Sequence, residues 1–186
     1  MKKVLTAIIA FAAFTSTITA QTKTINTTDS KVVWKGYKVT GSHEGTINLQ
    51  SGDLAFKDDV LTGGAFVIDM TTISATDLEG EYKGKLDGHL KSDDFFGVEK
   101  FATAKLVFTK VEASGKNSYT VTGDLTIKGK TNPVTVNVSV YGSKATATLK
   151  VDRTKFDVRY GSTSFFDGLK DKAIYDEFDL VVDLQF

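Results

Sequence analysis

A chain of 186 residues is long enough for one domain with a substantial core, and 41% hydrophobic with 25% charged residues excludes a disordered polymer. Its 23 basic and 23 acidic residues cancel, so it has neither the basic footprint of a nucleic-acid binder nor an acidic tail. The absence of cysteine excludes disulfides, thiolate metal sites and cysteine nucleophiles together.

Residues 1–20 read as a secretory signal peptide. Lys2 and Lys3 precede an apolar run from Val4 to Phe14, broken only by Thr6, and a polar stretch then leads to Ala20. Cleavage after Ala20 predicts a mature domain of residues 21–186 in the periplasm or outside the cell. The apolar run is shorter than the roughly 20 residues of a bilayer span, so no stable membrane insertion is expected after cleavage.

The mature chain alternates apolar and polar residues with period two, the pattern of strands with one dry and one wet face. Val32–Val39, which carries Trp34, is the first predicted strand. His43–Leu49, Asp53–Phe56 and Gly63–Met70 follow, with turn chemistry at Gly41-Ser42, Ser51-Gly52 and Asp58-Asp59. Between Leu78 and Leu90 the apolar residues Leu78, Tyr82, Leu86 and Leu90 recur at helical spacing. Gly80, Gly84 and Gly88 share that interval, and each costs about 1 kcal/mol relative to Ala, so only a short helix near Leu86–Ser92 is predicted.

Further strands are expected over Ala104–Val111, Tyr119–Lys128, Val134–Val140, Ala145–Val151 and Phe178–Phe186. Pro133 stands at the start of its strand, where a missing N–H costs least. Gly161–Asp176 breaks the alternation, and its Phe165, Phe166, Leu169 and Ile174 are expected to cap one end of the fold. The resulting fold class is all-β and antiparallel, an eight-stranded β-barrel with one or two short helices in its connections. A two-sheet sandwich satisfies the same periodicity. Eight strands leave an interior that side chains fill or that holds one small ligand.

Where one strand face is the more polar, the other should point inward. That rule turns Phe66, Ile68, Met70, Leu106, Phe108, Phe156, Val158, Leu180 and Leu184 into the interior, as the lining of an apolar slot or as a filled core. The pairs Phe95-Phe96 and Phe165-Phe166 lie in Gly/Asp/Ser-rich connections and are not explained by alternation; they suit gripping a ligand chain or plugging a barrel end. Arg153 and Arg159 are the only arginines. Arg159 is the candidate for a polar head group, and Arg153 for an internal ion pair with Asp152, Asp69 or Asp94. His43 and His89 sit in no tight ligand pattern, and no nucleophile elbow, Ser-His-Asp cue or phosphate loop is present, so no metal, cofactor or catalytic residue is expected.

Five segments carry a resemblance: Trp34-Lys35-Gly36 with Gly41-Ser42-His43-Glu44-Gly45; Gly64 to Met70; Gly88 to Phe96; Gly123 to Gly129; and Val151 to Phe156. In this order and spacing the chain resembles the YceI-like family of bacterial exported proteins over nearly its whole mature length. It departs from the family pattern after Phe156, where Asp157 stands in place of an expected glycine. The resemblance implies a lipocalin-like barrel whose long cavity accepts polyisoprenoid chains, such as isoprenoid quinones or prenyl phosphates, or similar long-chain lipids. It implies no reaction, and it makes a homodimer reasonable. Trp34 of the first segment joins the inward-facing residues in the expected ligand-binding set. The alternatives are a partner-binding or structural barrel with a filled core, and an enzyme acting on a lipid-like substrate.

Overall fold

The structure, a computed structural model, describes residues 20–186. The predicted signal peptide therefore lies outside the described residues, except for Ala20, the first residue of β1 (Ala20–Thr24). Eight strands follow: β2 (Lys31–Lys38), β3 (Gly41–Lys57), β4 (Val60–Ala75), β5 (Thr103–Gly115), β6 (Ser118–Ile127), β7 (Lys130–Tyr141), β8 (Lys144–Asp152) and β9 (Ile174–Gln185).

Each of β2 to β9 pairs antiparallel with the next, and β9 pairs back to β2 through Lys31↔Asp183 and the residues beyond. The ring is closed, which decides for the barrel over the sandwich. β1 stands outside the ring and pairs with the far end of β3, from Ala20↔Lys57 to Thr24↔Asp53.

Inward alternation builds the core. Val121, Leu125 and Ile127 of β6 meet Val136 and Val138 of β7, Val151 of β8 and Leu184 of β9, all buried in one cluster. The hairpin between β3 and β4 turns on Asp58 and Asp59, both with positive φ (49° and 63°), the twist that a tight antiparallel hairpin requires.

The structure corrects the predicted turn at Ser51-Gly52: β3 runs straight through it as one 17-residue strand. Gly52 is there for close packing. A Cβ at this position would lie 2.6 Å from the Phe66 ring and 3.1 Å from Ile25. The extra residue near Ser51 is absorbed by a register shift against β4.

The helix also exceeds its prediction. α1 spans Gly80–Lys91 despite its glycines. Tertiary contacts outweigh propensity here: Asp87 accepts hydrogen bonds from the Ala75 backbone N–H (2.7 Å) and the Ser74 hydroxyl (2.9 Å), while Lys83 bonds both side chains and Leu90 is buried. Burial alone would raise the Asp87 pKa, but Lys83, the Ala75 N–H and Ser74 together hold it below the usual carboxylate range. Gly84 and Gly88 are exposed, and no atom lies within 4 Å of a Cβ built on either. Gly84→Ala and Gly88→Ala are each expected to stabilise the protein by about 0.5–1 kcal/mol, read as a rise in the urea midpoint at unchanged m-value.

The segment from Gly161 to Asp176 does not plug the barrel with its phenylalanines. Ser162 is fully buried and Ala173 nearly so, whereas Phe165 and Phe166 are 43% and 50% exposed. Ser164 donates to Asp176, and the backbone N–H groups of Phe165 and Phe166 bond the Ser162 carbonyl. These bonds bind the loop down by its small polar residues and leave both rings outside.

Candidate functional site

The barrel interior holds two cavities in line, of about 120 Å³ and about 90 Å³. Trp34, Met70, Phe95 and Phe96 line the first, at the end covered by α1. Phe66, Leu106, Phe108 and Leu184 line the second. Ile68 and Leu180, with Val32 and Leu125, line both, so these four side chains form a waist between the cavities. Each cavity is about the size of one that admits a benzene ring, and below the roughly 300 Å³ at which drug-sized pockets begin.

Phe95 and Phe96 reach the cavity because the chain turns sharply after α1. The Phe95 N–H bonds the Ser92 carbonyl and the Phe96 N–H bonds the Leu90 carbonyl, which folds both rings inward. The rings pack edge to face with centroids 5.0 Å apart and form a lid over the first cavity.

Five of the predicted site residues lie elsewhere. Phe156 and Val158 are fully buried but line neither cavity; they fill the barrel end beneath the loop. Phe165, Phe166 and Arg159 are outside the barrel. Arg159 pairs with Asp157 at 2.7 Å, lies over the Phe165 ring at 4.8 Å and lines neither cavity.

Arg153 is on the cavity wall instead, and only 2% exposed. Its Nε donates to the Tyr175 carbonyl (3.0 Å), Nη1 to the Val158 carbonyl (2.8 Å) and Nη2 to the Ile174 carbonyl (3.0 Å). An internal ion pair was expected for it, and the partner is Asp176 at 3.6 Å, not Asp152, Asp69 or Asp94. Burial lowers the Arg153 pKa against the opposing charges of Asp176 and Asp152. For Asp176, burial acts upward, yet hydrogen bonds from Ser162 and Ser164 and the Arg153 charge hold the carboxyl below its ordinary value.

Gly36, Leu90, Leu125 and Ile127 also line the first cavity, beyond the residues expected to do so from the sequence. Three of these carried a signal. Leu125 and Ile127 obey the same alternation as Phe66 and Ile68, and Gly36 continues the inward face of Val32 and Trp34.

Neither histidine approaches a metal-binding cluster, and no group of three His, Cys, Asp or Glu side chains suited to a metal is found among the described residues. His43 Nδ1 lies 2.9 Å from Asp77. His89 packs its ring against Tyr160 and Phe95, at 4.4 Å and 5.5 Å, and its Nε2 is buried without a hydrogen-bond partner. Burial lowers its pKa, with Asp94 opposing. The unfolded chain therefore binds the proton more readily, so stability is full above the ordinary histidine value near 6.5 and is lost as pH falls through the lowered folded value. Thermal unfolding between pH 7.5 and 5 should show this loss, and His89→Gln should flatten it.

The comparisons agree with this architecture. Residues 23–186 match the YceI-like domain. A UPF0312 protein of Vibrio parahaemolyticus is 28% identical over 137 residues, 67% of this chain and 69% of that protein. One of Shewanella denitrificans is 34% identical over 98 residues, 53% of this chain and only about half (49%) of its own length. Among solved structures, BcnA of Burkholderia cenocepacia superposes with a TM-score of 0.69 at 24% identity, covering 86% of this chain and 98% of BcnA. A polyisoprenoid binding domain from Saccharophagus degradans, implicated in plant cell wall breakdown, gives 0.59 at 15% identity, covering 87% and 97%. These likenesses share the fold, and with the family match over nearly all of the described barrel, the chain belongs to the YceI-like family.

Proposed function

We propose that this barrel is an exported carrier or sequestering protein, periplasmic or secreted, for a long apolar ligand: a polyisoprenoid, an isoprenoid quinone or a similar lipid. The observation that carries this reading is the pair of in-line apolar cavities separated by a waist of four side chains. Joined, they make a slot of single-chain width along the barrel, and burial there yields about 0.8 kcal/mol per CH₂. The polyisoprenoid binding domain of Saccharophagus degradans, of the same fold, supports the choice of ligand class.

The wall also bears on the ligand's polar end. Its two charged side chains are Arg153, committed to three carbonyls, and Glu177, with Lys150 at 3.6 Å. Nothing on the wall is free to neutralise a phosphate, and burying an unpaired charge is costly. The buried part of the ligand is therefore uncharged, and the phosphate of a prenyl phosphate stays outside.

Native mass spectrometry of the mature protein, purified from its own periplasm or culture supernatant, tests the reading. A stoichiometric prenyl lipid or quinone, released on denaturation, is the expected result. A clean apo mass with no uptake of added isoprenoids overturns it in favour of a filled-core, partner-binding barrel, which the small cavity volumes would then explain. The same spectra report the oligomeric state, for which the family resemblance makes a homodimer reasonable.

A further inference from the structure

The ladder between β2 and β9 is interrupted where it passes the first cavity. Gly36 pairs with Phe178 and Lys38 with Ile174, so Tyr175, Asp176 and Glu177 face Tyr37 alone. The carbonyls of Ile174 and Tyr175 are held by Arg153 from within. The Tyr37 hydroxyl donates to Asp179 at 2.6 Å, holding that ring at the rim of the break. Of the residues around this break, Gly36, Tyr37, Ile174, Tyr175, Glu177 and Phe178 line the first cavity, while Lys38 and Asp176 do not.

Two of the other interruptions are bridged by a side chain. Between β3 and β4 the register slips around Ile47, Met70 and Ile73, all of them buried, and Thr72 closes the gap by accepting the Asn48 N–H. Between β5 and β6 the extra residue Thr109 donates to the Thr122 carbonyl. At the β2–β9 break the wall residues are reached from outside: Tyr175 is 55% exposed, Glu177 is exposed and Gly36 is partly so. Gly36 is the central observation. It lies on the inward face, it has no positive φ, and no atom lies within 4 Å of a Cβ built on it. Neither backbone geometry nor a close neighbour calls for glycine here, and a glycine within a strand marks a place where something else comes close.

We propose that the seam between β2 and β9 is the passage by which the ligand enters and leaves the barrel sideways, and that Gly36 sets its width. The inference rests on the binding reading above and adds the route and the residue that controls it. The chain end passes first beneath Tyr37 and Tyr175, and an uncharged polar end remains at their hydroxyls.

The chain has no cysteine, so a single one can be labelled cleanly. Glu177→Cys at the seam and Val107→Cys, exposed on β5 and on neither cavity wall, would each carry a bulky maleimide. Uptake and release of all-trans-retinol, a fluorescent isoprenoid, would be followed by stopped flow. The label at position 177 is expected to slow association and dissociation together by roughly tenfold or more, leaving Kd within about threefold, while the label at position 107 changes neither rate. Gly36→Phe is expected to slow both rates as well. Retinol uptake with rates unaffected by the seam label, or a Gly36→Phe protein that loses affinity with no change in association, overturns the passage alone. Absence of uptake by the unlabelled protein overturns the binding reading and the passage with it.

Discussion

Arg153→Met is expected to lower the stability of the folded barrel by about 3–5 kcal/mol. Methionine has nearly the length of the arginine stem and so keeps its packing, but it donates nothing. The carbonyls of Val158, Ile174 and Tyr175 then lose their donors, and Asp176 loses its one cationic partner among the described residues. Each buried acceptor left unpaired costs about 1–3 kcal/mol. For a chain of this size the loss corresponds to a fall in Tm of roughly 6–20 °C. Arg153→Lys should recover less than half of it, because one ammonium cannot span carbonyls on two separate segments. Thermal and urea unfolding measure the loss, and a change below about 1 kcal/mol would show that water replaces the guanidinium.

Leu180→Ala removes part of the waist and is expected to cost the empty protein about 2–5 kcal/mol. The same change should join the two cavities, since Leu180 lines both. Long isoprenoids then enter a ready-made slot without first displacing side chains, so the variant gains more from ligand than the original protein does. Stabilisation by ligand follows RT ln(1 + [L]/Kd), and thermal shifts with geranylgeraniol measure it directly. A larger shift for Leu180→Ala than for the unaltered chain places the waist on the ligand's path. An equal shift assigns the ligand to one cavity alone, with the waist as ordinary core.

The barrel was legible because its strands obey a period that depends only on local sequence. Phe66, Ile68, Leu106, Leu180 and Leu184 were placed inside from their polar neighbours alone, and all five line a cavity. What failed was long-range or ambiguous. Gly52 carries the composition of a turn, yet its reason is the Phe66 ring across the β3–β4 pair. α1 is longer than its glycines suggest because Ser74 and Ala75, on another element, anchor Asp87. Phe95-Phe96 and Phe165-Phe166 look alike in sequence, but one pair is turned inward by its backbone hydrogen bonds and the other outward.

Asp157 stands where the family resemblance leads one to expect glycine, and its backbone explains the expectation. Its φ is 63°, in the left-handed region that glycine enters freely and aspartate tolerates better than most residues. Arg153 and Arg159 shared one motif, and only burial separated the pin from the surface pair.

The β2–β9 seam also orders the protein's assembly. It joins the first and last strands of the ring, and the Tyr37–Asp179 bond across it spans 142 positions. During synthesis the first partner of that seam waits for the last strand to be made, and the loop between them must close before the ring gains its final ladder. Until β9 arrives, the chain is an open, curled sheet with two unpaired edges and an exposed apolar face. A chain stopped short of Ile174 has seven strands of the ring and no way to shut it, so it should stick to its neighbours where the whole protein stays in solution.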